Sequence, residues 1–436
     1  MEKLEQKVRQ TIKEHHMLQP GDPVIIALSG GADSVCLLSL LADMKEELGL
    51  KLMTLHVHHG LRGEDSTRDA KFVEQFVSLC CGAQRLPDER VLPPVKLYQS
   101  KGDVGKEVAR TGRGVEETAR ILRYAFLRQA AQQAGADLIA TAHTADDNAE
   151  TILFHLSRGS GLRGLTGIAP SRDGLIRPLL TTTRREIEDY LRYYALPHRE
   201  DRTNSDDTYA RNRIRHKVVP VLDGLFPDFA PRASDLAARL RADEDYLSGQ
   251  ARGISDRAVR QGEGLSIPAD ALAQAPGPLA VRALRQLLDT LCNGDWTGSA
   301  VHLESVLALC RTGTPSAQVS LPHGLIARRE YDDLILSPAC QETLPVCPLP
   351  LPGTLQAGPW RVEVSAALYQ GEVQKPFDLW LTQGEDLLTL RPRQPGDRLR
   401  LSGRPEKTVK KWLIDEKIPR PRREVLPVLA APSGVV

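Results

Sequence analysis

The sequence predicts an α/β fold: a parallel sheet with helices on both faces, followed by a small helical domain and a C-terminal α+β domain. Three observations carry that expectation. Over the first 220 or so residues, short apolar runs alternate with helical patterns, as in a sheet covered on both sides. The candidate strands are continuous rather than alternating in hydrophobicity, as strands buried on both faces are. Beyond them the composition changes twice, first to Ala, Leu and Arg, then to short strand-like runs with a basic end.

The elements follow in order. Leu4, Val8 and Ile12 repeat at helical spacing. Val24–Leu28 reads as the first strand, and Ser34–Leu48 carries Leu37, Leu38, Leu41 and Met44 on one helical face. Lys51–Val57 is a second strand and Thr67–Cys80 a second helix. Residues 93–114, rich in Lys, Gly and Arg with weak periodicity, read as an exposed loop. A longer helix over Val115–Ala134, a strand over Asp137–Thr141 and a helix over Asp146–Leu156 complete the first domain, 1–220. LAARLRADEDYL and LAVRALRQLLDTL mark a helical domain over 221–345. The Pro-rich LPVCPLPLPGTL then reads as a domain edge, opening a third domain over 346–436.

Bulk properties narrow the class. At 436 residues the chain exceeds one ordinary core. A content of 41% hydrophobic and 26% charged residues is that of a globular chain, not a disordered one. A formal net charge of +1 announces no global field for nucleic acid, so any such signal must be local. No apolar run approaches the ~20 residues of a membrane helix, and the N-terminus lacks the apolar core of a signal peptide. Seven cysteines without a C-x-x-C pair make neither a disulfide framework nor a zinc site, so reduced thiols and a cytoplasmic location are expected.

The candidate site is Ser29-Gly30-Gly31-Ala32-Asp33-Ser34, between the first strand and the helix after it. Glycines let backbone N–H groups approach a phosphate, and a helix N-terminus adds partial positive charge. The plainer alternative is an ordinary strand-to-helix turn capped by Ser34. Two other nucleotide motifs fail. For a Walker A loop, Gly105-Lys106 comes nearest, but Glu107 follows and Ser100 holds the first glycine's place. Gly159-Ser160-Gly161-Leu162-Arg163-Gly164 has the G-x-G-x-x-G form but follows the helical ETILFHLSR instead of a strand. Asp33 cannot hold an anion directly. Mg²⁺, which prefers carboxylate and phosphate oxygens together, gives it a task.

The string Ser29–Ser34 after a first strand resembles the pyrophosphate loop of the ATP-pyrophosphatase (PP-loop) superfamily, whose fold is adenine nucleotide alpha hydrolase-like. Its members split ATP between the α and β phosphates. Four further stretches narrow the resemblance. His56-Val57-His58-His59-Gly60-Leu61-Arg62 lies at the end of the second strand, where a ligand crevice opens in α/β sheets. Glu116-Glu117-Thr118-Ala119-Arg120 lies on a helix, followed by Arg123-Tyr124. Thr141-Ala142-His143-Thr144-Ala145-Asp146-Asp147-Asn148-Ala149-Glu150-Thr151 leads from a strand end into a helix. Asp201-Arg202-Thr203-Asn204 continues to Arg211-Asn212-Arg213-Ile214-Arg215. In this order and spacing they resemble the tRNA(Ile)-lysidine synthase family, strongly over Val24–Lys217 and more weakly over Arg391–Pro427. Many relatives carry Asn where this chain has His58. Thiolating relatives use paired redox cysteines, whereas Cys80 and Cys81 here are adjacent in an amphipathic helix.

The resemblance implies a ligase that uses ATP and Mg²⁺ to attach free L-lysine to the wobble cytidine of a tRNA(Ile) with a CAU anticodon, switching it from Met to Ile specificity. By it, Ser29, Gly30, Gly31, Ala32, Asp33, Ser34, His56 and His143 hold ATP. Asp33 and Asp147 take Mg²⁺, and Asp33, Arg120 and Asp147 are catalytic. Asp147 and Glu150 stand three apart on a helix and so share a face; with Arg211 they are assigned to lysine. The plain reading of the two carboxylates is an acidic first turn favoured by the helix dipole. Of Arg211, Arg213 and Arg215, one enters the site; Arg213 and Arg215 are placed on tRNA phosphate.

The segment Arg391–Arg423 holds 12 Lys/Arg against 4 Asp/Glu, so the remaining 403 residues carry a net charge of −7 by subtraction from +1. Charge gathered at one end is the footprint of a phosphate-contacting patch; Arg398, Lys407, Lys410, Lys411, Arg420 and Arg422 are assigned to tRNA, and Trp412 is expected to pack beneath the basic face. The chain is expected to meet no membrane and to act as a monomer or homodimer. Two rivals stand beside this reading: a PP-loop enzyme that adenylates another tRNA base or a free metabolite, and a non-catalytic RNA-binding protein on a nucleotide fold.

Overall fold

The computed structural model describes residues 2–58, 64–80, 95–112, 114–199, 210–312, 317–339, 344–350, 352–358, 360–366, 388–399, 406–416, 418, 423, 425–432 and 434–435. They form two compact units, Met1–Asp245 and Tyr246–Val436, with the border inside one long helix.

The first unit is built on a six-stranded sheet. Strand β1 (Pro23–Ala27) lies at its centre, parallel to β2 (Lys51–His58). Strand β3 (Lys96–Lys101) extends the β2 side in parallel, with Met53 opposite Lys96. On the other side stand β4 (Leu138–Ala140), the antiparallel edge β5 (Ser171–Arg172) and β6 (Leu175–Ile176), giving the order β3-β2-β1-β4-β6-β5. The sheet is therefore parallel except for one short hairpin strand at its edge.

Successive residues of β1 enter different cores, which is why its sequence is apolar throughout. Val24 and Ile26 pack with Leu37, Leu38 and Leu41, and that cluster also takes Leu4 and Val8 of α1 (Glu2–Glu14). The three leucines belong to α2 (Ala32–Asp43), which is followed by a single turn, α3 (Lys45–Leu48). Helix α4 (Glu64–Cys80) adds Val73 and Phe76 to the same layer. Ile25 points the other way, into a cluster with Leu55, Leu127 and Ile139.

Residues 93–114 are not a loop over the part described. They supply β3 and α5 (Val104–Thr111), which Asp103 caps by accepting the Lys106 N–H at 3.1 Å and Gly112 ends with φ +68°. A sheet-edge strand covered on one side keeps polar and charged residues, which erases the apolar signature. Helix α6 (Val115–Ala134), bearing Leu127, then covers the second sheet face.

After β4 come α7 (Ala145–Ser157), the short α8 (Leu162–Leu165) and α9 (Arg184–Tyr193). Beyond the residues left undescribed, α10 (Ala210–Arg213) passes into a π-helical turn, Ile214–Val218, and then α11 (Val219–Leu225) and α12 (Phe229–Ser255). Ala230, Ala233 and Ala237 of α12 pack closely on Ala145, Ala149 and Ile152 of α7.

In the second unit, the stretch expected to be helical also carries a five-stranded antiparallel sheet. Its strands are β7 (Val259–Gln261), β8 (Gly264–Pro268), β9 (Gln318–Ser320), β10 (Leu325–Glu330) and β11 (Asp333–Pro338), in the order β7-β8-β11-β10-β9. Leu265, Ile267, Leu334 and Leu336 pack against α13 (Ala269–Ala273), α14 (Gly277–Leu291) and α15 (Ala300–Thr312). Arginines at 328 and 329 interrupt the alternation in β10 and hide it from a sequence reading.

The C-terminal part follows as short strands: β12 (Cys347–Pro348), β13 (Gly353–Ala357), β14 (Trp360–Val364), β15 (Thr389–Pro392), β16 (Arg398–Leu399), β17 (Lys407–Thr408), β18 (Pro427–Ala431) and β19 (Gly434–Val435). One helix, α16 (Val409–Asp415), stands among them. No helix among the described residues is long and apolar enough to cross a membrane.

Candidate active site

The glycine turn joins the C-terminal end of β1 to the start of α2, where ligands bind in open α/β sheets. Gly30 sits at φ +90°, and a Cβ there would lie 3.1 Å from Phe72 Cδ1 and Val73 Cγ2 of α4. The position requires glycine twice over, for conformation and for space. Ser34 is buried and works inside the turn: its Oγ donates to the Gly31 carbonyl at 2.9 Å, accepts the Gly30 N–H at 3.2 Å and meets Ser29 Oγ at 3.1 Å. It therefore shapes the turn from within. Arg199 braces it from outside, giving its N–H to the Gly30 carbonyl at 2.9 Å and its guanidinium to Asp69 at 3.0 Å.

Asp33, on the first turn of α2, is the unusual group. Its Oδ1 is buried without a hydrogen-bond partner, and its Oδ2 is 4.0 Å from Arg184 Nη2. Burial and the charge of Asp147 raise its pKa to about 6, against the pull of Arg184 and Arg215. Arg184 opens α9, and its N–H donates to Asp146 at 2.8 Å while the Ala145 N–H donates to the Thr182 carbonyl at 2.9 Å. The N-termini of α7 and α9 are thereby tied together.

Helix α7 begins with a capping box. Thr144 Oγ1 accepts the Asp147 N–H at 3.2 Å, and Asp147 Oδ2 accepts the Thr144 N–H at 3.0 Å. Asp147 Oδ1 takes Arg215 Nη2 at 3.2 Å. Burial alone would raise Asp147, but His143, the Thr144 amide, Arg211 and Arg215 together hold its carboxyl below the usual range. Glu150 is 2% exposed and accepts Arg215 Nε at 2.5 Å, Arg215 Nη2 at 3.0 Å and Arg211 Nε at 3.3 Å. The carboxylate face expected from the i, i+3 spacing exists, already filled by two arginines.

Arg215, expected on tRNA phosphate, instead enters the site together with Arg211, while Arg213 between them is exposed. The reason is local: residues four apart share a helix face, and the π-helical turn begins immediately before Arg215. His56 is buried, with Nδ1 2.9 Å from the Leu28 carbonyl. His143 Nδ1 lies 3.0 Å from Thr141 Oγ1. Burial lowers its pKa to about 4, opposed by Asp147 and assisted by Arg177, Arg211 and Arg120. Arg120 is exposed on α6, its guanidinium 5.3 Å from the centre of the Tyr124 ring.

Sequence reading missed Arg177, Arg184 and Arg199. Arg177 follows the last residue of β6, so the rule that ligands gather at strand C-termini could have found it. Arg184 and Arg199 carried no such mark. The G-x-G-x-x-G string runs from the turn after α7 into α8, which holds its Leu162, Arg163 and Gly164, with no strand leading into it.

In the C-terminal part, Lys410 and Lys411 are exposed on α16, Lys407 is bound to Asp415 at 2.8 Å, and Arg398 to Glu406 at 3.3 Å. Trp412 is half-buried and packs with Val409, Leu413 and Val428. His59–Arg62, Cys81, Asp201–Asn204, Arg420 and Arg422 lie outside the described residues, as do the side chains of His58, Cys80 and Glu116.

The residues present fit Mg²⁺. An unpartnered buried carboxylate oxygen on Asp33, within electrostatic reach of the Asp147 carboxylate whose Oδ1 accepts from Arg215, is the sparse donor set this ion takes when phosphate and water complete its shell. No group of three or more His, Cys, Asp and Glu that could hold a metal ion converges among the described residues.

A family profile described as a PP-loop domain matches residues 1–222, one described as the TilS substrate binding domain matches 268–335, and one described as the TilS substrate C-terminal domain matches 388–436. A protein of Caldanaerobacter subterraneus subsp. tengcongensis named tRNA(Ile)-lysidine synthase is 33% identical over 99% of this chain and 92% of its own length. One of the same name from Geobacter sulfurreducens is 37% identical over 97% of this chain and 89% of its own. A third, from Geobacillus kaustophilus, is 32% identical over 98% and 92%. This chain belongs to the tRNA(Ile)-lysidine synthase family.

Proposed function

We propose that the chain joins L-lysine to the wobble cytidine of a tRNA(Ile) with a CAU anticodon, cleaving ATP to AMP and pyrophosphate. The observation that carries this reading is the orphaned, buried Oδ1 of Asp33 at the head of a glycine turn. A buried carboxylate oxygen left without a donor there is costly unless a cation and a polyphosphate complete it. The full-length similarity to tRNA(Ile)-lysidine synthases supplies the substrate class.

In the first step the C2 oxygen of cytidine attacks the α-phosphorus and pyrophosphate leaves. The backbone N–H groups of the turn and the N-terminus of α2 hold the departing phosphates, and Gly30 keeps the backbone open to them. Mg²⁺, held by Asp33 and the spare lone pair of Asp147, would neutralise phosphoryl oxygen charge when bound. Arg120 stabilises the charge that develops on the α-phosphoryl oxygens. His143, kept neutral, offers a hydrogen bond at the strand end without adding charge.

In the second step the lysine amine attacks C2, AMP leaves, and the amine loses a proton. Arg211, one-third exposed, suits the carboxylate of the amino acid, while Asp147 suits its ammonium. Glu150 and Arg215 lock both in place. Exposed Lys410 and Lys411, with Arg398 and Lys407, add phosphate contacts for the tRNA.

The test is an incubation with labelled ATP and labelled lysine, with and without CAU-anticodon tRNA(Ile). AMP release and labelled RNA that require both substrates are expected. Release of ADP and orthophosphate, or AMP release without the tRNA, refutes the reading.

A further inference from the structure

The guanidinium of Arg184 stands beside the glycine turn and makes no hydrogen bond among the described residues. Its neighbours are committed: Arg199 gives its guanidinium to Asp69 at 3.0 Å, and Arg211 and Arg215 give theirs to Glu150 at 3.3 and 2.5 Å. Arg184 Nη2 is 4.0 Å from Asp33 Oδ2, an electrostatic approach too long for a hydrogen bond. The side chain is 36% exposed, so its N–H groups meet water that a ligand can replace.

The backbone under this free head is fixed at each step. Thr181 Oγ1 meets Thr11 Oγ1 of α1 at 2.7 Å. The Thr182 carbonyl accepts the Ala145 N–H of α7 at 2.9 Å. Thr183 and Glu186 form a capping box at the start of α9, and Glu186 takes Lys7 Nζ of α1 at 2.9 Å. The Arg184 N–H itself donates to Asp146 Oδ2 at 2.8 Å. Residues 181–184 are thus clamped between α1 and α7, and only the arginine head is left untied. A residue present merely to neutralise Asp33 would close to hydrogen-bonding distance, as Arg215 does on Asp147 at 3.2 Å. The gap leaves both charges available to a third group.

We propose that Arg184 binds the β- and γ-phosphoryl oxygens of ATP, and with them the pyrophosphate that leaves. The proposal rests on the polyphosphate reading of the glycine turn given above. Asp33 lies in the first turn of α2, whose N-terminus holds the departing phosphates in that reading. A cation beside this carboxylate therefore meets the leaving group rather than the cytidine or the lysine. One planar guanidinium can give two N–H groups to two phosphoryl oxygens, and its anchored backbone reduces the ordering that binding requires.

Calorimetric titration of the full chain at one fixed Mg²⁺ concentration tests this, with ATP, inorganic pyrophosphate and AMP as separate probes. Arg184→Gln keeps the main-chain bond to Asp146 and removes the charge. It should weaken ATP and pyrophosphate about ten- to hundred-fold, the loss expected for charged hydrogen bonds. AMP, which lacks both outer phosphates, should bind within about two-fold of its wild-type affinity. Unchanged pyrophosphate affinity overturns the proposal, and if urea stability falls at the same time Arg184 is a counter-ion of Asp33 alone. An equal loss for AMP and ATP overturns it as well. A wild-type chain that binds neither ATP nor pyrophosphate removes the role of the turn, and that of Arg184 with it, so the two failures are told apart. Arg184→Lys, the milder change, keeps the charge but not the fork. It should also bind pyrophosphate less tightly with AMP unchanged, and wild-type pyrophosphate affinity in this variant overturns the proposal.

Discussion

Asp33→Asn should make the protein more stable and inactive at once. In the wild-type chain the Asp33 carboxyl titrates near 6, against 3.8 for its ordinary value. Holding the charged form in that setting costs up to about 3 kcal/mol. The sign follows from proton uptake. Between about pH 4 and 6 the folded chain holds this proton more tightly than the unfolded chain, so stability falls as pH rises through that window and is flat above it. At pH 7.5 the whole penalty is present. Asparagine keeps the shape and deletes the charge.

Urea unfolding in metal-free buffer is the assay, at pH 7.5 and again near pH 4. The variant should gain about 1–3 kcal/mol at the higher pH and nothing near the lower one. Adding Mg²⁺ should stabilise the wild type and leave the variant unmoved, and AMP formation by the variant should be lost. A variant no more stable than wild type at pH 7.5 would refute the reasoning, as would a gain that persists unchanged at low pH.

Three further outcomes are expected. Glu150→Ala leaves the guanidinium of Arg215, which is 18% exposed, with Asp147 as its carboxylate partner and should cost about 1.5–3 kcal/mol for the lost charged hydrogen bonds; thermal unfolding reads it, and a loss under about 1 kcal/mol would mean that the pair is not structural. Gly30→Ala forces a side chain into φ +90° and against Phe72 and Val73, so it should cost about 1–3 kcal/mol and abolish ATP binding by calorimetry. Replacing Lys410 and Lys411 together by Ala should weaken tRNA binding and reduce the slope of log K against log salt by about one per lysine. Lys407→Ala should change that slope less, because Lys407 is already paired with Asp415.

How much was legible depended on whether the cause was local. The glycine turn was readable because a strand, two glycines and a helix start are consecutive in sequence. The shared face of Asp147 and Glu150 was readable from helical spacing alone. Their partners were not: Arg211 and Arg215 arrive from about 60 residues away, and no sequence signal announces the π-helical turn that follows α10. Strand β3 was hidden by its own position, since an edge strand ending in lysines looks like a loop. Arg199 shows the same limit at the site, for its use lies in a main-chain N–H that any residue but proline would supply.

The pattern of charge explains why a site so rich in arginine can still receive phosphate. Glu150 and Asp147 answer Arg211 and Arg215, so that side of the crevice is close to neutral and rigid. Arg120 and Arg177 have no carboxylate at ion-pair distance among the described residues, and Asp33 has an oxygen with no donor. The cations without a carboxylate partner and the donorless oxygen of Asp33, whose other oxygen is 4.0 Å from Arg184, already cost stability before any ligand binds. Under the proposed function a triphosphate with its metal ion would satisfy both together: phosphoryl oxygens would meet the arginine side and the cation would meet Asp33. Binding energy that would otherwise go into rearranging the protein would then be available for the proposed transition state, where the charge on the α-phosphoryl oxygens would be greatest.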